Sequence, residues 1–265
     1  MNNVSQNQLR FLKNQKKHQR IVLCSRILIL TTFLLLWELL TRFGIIDSFI
    51  FSSPTKVILC FWNMVLDKSI FLHIGITLYE TLLSFLLVTF LSILVATLLW
   101  FSRKCLEITE PFLVVLNSLP KSALAPLLIV WLGATPTTII VAGMSVALFG
   151  SILNMTTTFQ EVDPDKIKLI YTLRGTKLQA LTKVVIPSSI PSIVSNMKVN
   201  IGLCLVGVII GEFLAARNGL GYLIIYSSQV FKMDWLLMSI VILCVLAMGL
   251  YALISAVEKL YQKYF

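Results

Sequence analysis

Apolar residues in this chain come in long, near-continuous runs, and most charged residues fall in the stretches between them. An apolar helix needs roughly 20 residues to cross the hydrocarbon of a bilayer. Windows of that size fall at about 22–45, 76–101, 112–132, 135–157, 189–214 and 236–257, which predicts about six transmembrane helices. The strands of a membrane β-barrel alternate apolar and polar positions, and these runs do not. The pattern therefore predicts an all-α membrane protein.

Two runs carry more than hydropathy. The run behind the polar N-terminus, Ile21 to Ile46, is longer than the roughly 7–15 residue core of a signal peptide, so it reads as a first span (22–45) behind a basic N-terminus, residues 1–21. The third run contains Leu119-Pro-Lys-Ser-Ala-Leu-Ala-Pro126. Pro120 and Pro126 should bend or break that helix, and carbonyls freed at such depth must be buried in protein or face a cavity. Lys121 sits in the break, where it either snorkels to an interface or faces that cavity.

The longest polar interruption runs from Gln160 to Pro187. Asp163 before Pro164 makes an N-cap and first helical residue, and Asp165 adds negative charge where the helix dipole favours it. Ile167, Ile170, Tyr171, Leu178, Leu181 and Val185 recur at helical spacing, while Lys168, Thr172, Gln179 and Lys183 take another face. Gly175 is poor inside a helix and should turn the chain between two short helices, with Pro187 and Pro191 punctuating the start of the next span. Such a segment either lies on the leaflet surface with its lysines near anionic lipid or docks a partner on the water side.

Composition agrees with the pattern: 57% of the 265 residues are hydrophobic and 13% charged, against about 25% charged in an ordinary soluble domain. The net charge of +10 raises the question of nucleic acid. The basic residues surround apolar spans, however, and form no compact basic domain. Arg10, Lys13, Lys16, Lys17, Arg20, Arg103, Lys104, Lys166, Lys168, Arg174, Lys177, Lys183, Lys259 and Lys263 fall on one side, and only Arg42, Lys56, Lys68, Arg217 and Lys232 on the other. The positive-inside rule then puts both termini and the polar insert in the cytoplasm of a multi-pass cell-membrane protein.

No chemistry of its own is legible in the chain. Cys24, Cys60, Cys105, Cys204 and Cys244 stand singly and read as packing residues, and neither they nor His18 and His73 show metal-site spacing. No stretch fits G-x-x-x-x-G-K-[ST] or His-Glu-x-x-His, so no phosphate loop, metal or catalytic residue is expected here. A secondary transporter would show matching broken helices in two halves and functional acids within the membrane, and no such repeat is visible.

An ordered set of short motifs resembles a known family. The insert looks like the cytoplasmic coupling loop of binding-protein-dependent type I ABC transporter permeases, in the branch serving nitrate, sulfonate, taurine, bicarbonate and thiamine-precursor uptake. Val162-Asp163-Pro164 matches the loop's start, and Val184, Ile186 and Pro187 fill its closing Ile-x-Leu-Pro positions. Lys168, Leu169 and Ile170 stand where Glu-Ala-Ala is expected, and Arg174 takes the Gly position with Gly175 just after it. Phe51-Ser-Ser-Pro-Thr55, His73 to Leu78, Leu119-Pro120 through Trp131-Leu-Gly133, Asn196-Met-Lys198, Gly211-Glu-Phe-Leu214 and Gly219-Leu-Gly-Tyr222 are similar to further family motifs, in order.

The resemblance implies a type I ABC importer permease fold, with the permease domain at 72–258 and the coupling loop at 160–187. It implies a non-catalytic permease, working as a homodimer, with ATP bound by separate ATPase subunits and solute delivered by an extracytoplasmic binding protein. Asp163, Pro164, Lys168, Tyr171, Arg174, Gly175, Lys177 and Pro187 would then form the ATPase coupling element. The lysine in place of Glu would alter the charge that meets the ATPase. Lys121, Lys198 and Glu212, charged residues at membrane depth, are the candidates for a solute path, with an ion pair between helices as the alternative for Lys198 and Glu212. Asn218, Gly219 and Gly221 should form a tight turn on the outer side, a candidate gate. The solute would be a small anionic or polar compound, or another nutrient brought by a binding protein.

Overall fold

The computed structural model describes residues 6–264, with side chains from 14 to 260 apart from residue 16. The side chains of Arg10, Lys13, Lys16 and Lys263, used above for orientation, lie outside the described residues. The described chain is helical, in the order α1 Gln6–Arg42, α2 Ser48–Phe51, α3 Pro54–Leu66, α4 Ser69–Phe101, α5 Arg103–Ser118, α6 Lys121–Leu132, α7 Pro136–Gln160, α8 Pro164–Thr172 and α9 Lys177–Ala180. A π-helical turn, Leu181–Val185, then leads into α10 Ile186–Ala215, followed by α11 Leu220–Gln229 and α12 Met233–Tyr264.

Among the described residues, five helices are long and apolar enough to cross a bilayer: Lys17–Arg42, Ser69–Phe101, Pro136–Gln160, Lys177–Ala215 and Met233–Leu260. The third expected span differs. It is a pair, Arg103–Ser118 and Lys121–Leu132, bent by 94° at the Leu119-Pro120 break. Leu119 is extended at φ −61° and ψ 138°, as a residue before proline must be. Pro111 and Pro126 both sit inside unbroken helices, so Pro120 alone breaks this span. Residues 103–111, in the gap between two of the expected spans, are the first turns of α5, capped by Ser102. Three short helices, α2, α3 and α11, fall where the hydropathy windows show only gaps.

α7 is the axis of the bundle and packs along α4 and α10. Phe85 and Val88 of α4, Ala147 of α7, and Ile201 and Cys204 of α10 form its buried middle. The α7–α10 crossing is close because glycines meet there: a Cβ on Gly207 would stand 2.8 Å from the Gly143 Cα. Lipid tails are as apolar as leucine, so close backbone packing of this kind holds membrane helices together. The span of α1, by contrast, is unburied. Of the cysteines, only Cys204 is fully buried, and Cys24, Cys105 and Cys244 are exposed, so the packing role expected for all five holds for Cys204 and in part for Cys60.

Candidate coupling loop and membrane-depth polar site

The insert folds as two short helices. Asp163 caps α8, its side chain accepting from the Asp165 amide at 2.9 Å, and Pro164 follows as the first helical residue. Lys168 pairs with Asp165 at 3.0 Å on the exposed face. The turn after α8 is made differently from the sequence expectation. Arg174 takes the left-handed conformation at φ 59°, while Gly175 has no positive φ. Glycine is needed at 175 for space: a Cβ there would lie 2.7 Å from the Ile170 carbonyl oxygen, to which the Gly175 amide donates at 2.8 Å. Thr176 then caps α9 in a reciprocal box with Gln179, two bonds of 2.8 and 3.3 Å, satisfying amides that a helix start leaves open.

Two faces of the insert separate clearly. Ile167, Leu181 and Val185 pack inward on Ala96, Met155 and Phe159. Leu169, Leu173 and Leu178 point outward at 59, 73 and 59% exposure, with Tyr171 at 45%. Lys177, though exposed, reaches back to α4, donating to the Phe101 carbonyl at 2.8 Å and lying 5.5 Å from the Trp100 ring centroid. A cation at the C-terminal end of α4 complements its dipole, so Lys177 fastens the insert to α4. The prolines beyond do not break the chain. Pro187 lies in the first turn of α10 and Pro191 within it, and the π-turn is closed by the Ile186 amide reaching back to the Leu181 carbonyl. An open cleft of about 520 Å³ lies beside the insert, lined by Trp100, Arg103, Glu107, Glu110, Gln160 and Ile167.

The three charged candidates at membrane depth are not brought together. Lys198 pairs with Glu258 of α12, not with Glu212. Lys121 donates to the Leu116 carbonyl at the end of α5 and lies 5.2 Å from the Phe149 ring centroid, so it pins the 94° corner. Glu212, 1% exposed, accepts from the Thr77 hydroxyl at 2.6 Å and the Gly221 amide at 2.5 Å. Each has a local structural partner.

The Glu212 bonds define the turn at 217–221. Gly219 has φ 114°, a conformation that favours glycine, and its amide donates to His73 Nδ1 at 3.0 Å. The Leu220 amide donates to Thr77 at 2.8 Å. Gly221 is glycine for another reason: a Cβ would come within 2.7 Å of Glu212 Oε2. The turn is thereby bolted to α4 at His73 and Thr77. Glu80, one turn along α4 and 2% exposed, has its carboxyl beside that of Glu212 and lines a cleft of about 280 Å³ with Thr135, Arg217 and Asn218. Glu80 is not among the sequence candidates, although an acid inside Thr77-Leu-Tyr-Glu-Thr81 is the signal that marks it.

These features define a class: a polytopic helical membrane protein whose amphipathic insert is fastened to a membrane-spanning helix. Residues 88–263 match the family described as binding-protein-dependent transport system inner membrane component. The chain belongs to that family, as the permease subunit of an ABC importer, ATP hydrolysis falling to a separate subunit. It is 25% identical over 210 residues to the putative aliphatic sulfonates transport permease protein SsuC of Bacillus subtilis strain 168, covering 79% of this chain and 76% of that one. It is 26% identical over 190 residues to the formylaminopyrimidine transport permease protein ThiX of Halalkalibacterium halodurans, covering 71 and 75%. Its fold resembles the inward-facing MetNI methionine ABC transporter, with a TM-score of 0.60 at 15% identity over 76% of this chain and 96% of that one.

Proposed function

We propose that residues 163–187 dock into an ATPase subunit and that two copies of this chain enclose the solute path, supplied by an extracytoplasmic binding protein. The observation that carries this reading is that Leu169, Tyr171, Leu173 and Leu178 stay exposed while Ile167, Leu181 and Val185 of the same insert pack inward. Apolar side chains held out into water on short capped helices fit a groove on a partner. The distribution of lysine and arginine supports cytoplasmic termini and a cytoplasmic insert.

In this reading, nucleotide-driven movement of the ATPase pulls on α8 and α9. Lys177 passes the displacement to the end of α4, whose far end holds the 217–221 turn through His73 and Thr77. The 33 residues of α4 make a rod of about 50 Å between the two ends. The solute is a small anionic or polar compound of the sulfonate, nitrate, taurine or thiamine-precursor type. Co-purification of the tagged chain with its ATPase tests the docking. The ATPase is retained by the wild type and lost from a Leu169→Asp, Leu173→Asp double variant that still reaches the membrane. Retention by that variant and by a deletion of residues 165–185 contradicts it.

A further inference from the structure

We infer that the face shared by α7 and α10 near the insert is a water-filled vestibule for solute, and that it selects by uncharged hydrogen bonds. The inference rests on the permease reading above. An open cleft of about 320 Å³ lies between these helices, lined by Asn154, Thr157, Thr158, Ser192, Ser195 and Asn196, with Val199 the single apolar residue. Asn154, Thr157, Ser192 and Ser195 are exposed on the chain's surface. Both helices belong to apolar spans. Asn154 lies six residues, about 9 Å, inside the end of α7.

Exposed amides and hydroxyls at that depth are costly against lipid and belong in protein or against water. A second layer holds them in place. Asn196 and Asn200 each donate to the Ser151 hydroxyl at 2.8 Å, and Asn154 donates to Asn196 at 3.4 Å. Ser151 and Asn200 are buried at 1 and 2% exposure, so this network fixes the cleft wall. The Thr157 and Thr158 hydroxyls donate to the Leu153 and Asn154 carbonyls of their own helix, which leaves their lone pairs, the Asn154 side-chain carbonyl and the Ser192 and Ser195 hydroxyls to a ligand. The lining contains donors and acceptors and no charge. It fits a small polar solute, whether oxyanion or amine, bound through neutral hydrogen bonds, and it places recognition away from Lys121 and Lys198.

Modification by a membrane-impermeant charged thiosulfonate tests this without knowledge of the solute. Asn154→Cys and Ser195→Cys are compared with Leu94→Cys, an α4 position 44% exposed and at similar depth, in the full permease–ATPase complex. Peptide mass mapping separates each from the native cysteines. Only a thiolate reacts, and lipid suppresses its formation, so the two cleft positions should react at least about tenfold faster than Leu94→Cys. The ATPase should stay associated with both cysteine variants. Rates equal to Leu94→Cys overturn the inference, as do slow modification and a disulfide between copies at Ser195→Cys, which mark a dry interface. Loss of the ATPase from unmodified complexes would instead count against the docking reading.

Discussion

Glu212 shows how a single buried acid can dictate its neighbours' identities. A Cβ on Gly221 would meet its Oε2 at 2.7 Å and the Ile209 carbonyl at 3.0 Å. Gly221→Ala must therefore displace a hydrogen-bonded carboxyl or helix backbone, a cost of about 1–3 kcal/mol, seen as a lower Tm of the purified protein in detergent. Gly202 has nothing within 4 Å of its Cβ position, so Gly202→Ala should hold or raise Tm through a gain of about 0.5–1 kcal/mol. Equal losses in both would show that the Glu212 contact does not matter. Lys198 and Glu258 make a second residue-level case, since each single alanine variant strands a charge inside the bundle. Membrane yield and uptake should fall together in Lys198→Ala, and the double variant should lose less than the sum of the singles. Loss of uptake at full yield would instead return Lys198 to the solute path.

At the scale of elements, the insert's start was legible because Asp163-Pro164 is a local signal, and its turn was misplaced because glycine drew attention from Arg174. The Thr176–Gln179 box was in the sequence too, hidden between lysines and a glycine. Thr176→Ala should cost about 1 kcal/mol of local stability, measurable as faster hydrogen exchange of the α9 amides with the rest of the bundle unchanged. Other features could not be read. Lys177 meets Phe101 from 76 positions away, a pairing no local pattern encodes, and the π-turn has the same apolar composition as an α-helix. Spans were found by hydropathy, but α3 and α11 are too short to register, and the 94° corner was visible only as a proline. If Lys177 carries movement to α4, Lys177→Met should leave ATP hydrolysis by the complex intact while lowering solute moved per ATP, and Lys177→Arg should restore part of it. Parallel loss of hydrolysis and transport would reduce Lys177 to a folding contact.

Across the whole molecule, α4 and α10 both run between the insert and the 217–221 turn. α4 takes Lys177 on its last carbonyls and holds the glycine turn through His73 and Thr77, while α7 and α10 carry the polar cleft beside it. Membership of the permease family places energy input outside this chain. The most direct measurement is solute accumulation by proteoliposomes containing this chain, its ATPase and its binding protein. Accumulation should require ATP and should vanish when residues 165–185 are deleted, with the shortened chain still in the membrane. Accumulation without ATP, or undiminished accumulation after that deletion, would contradict the account.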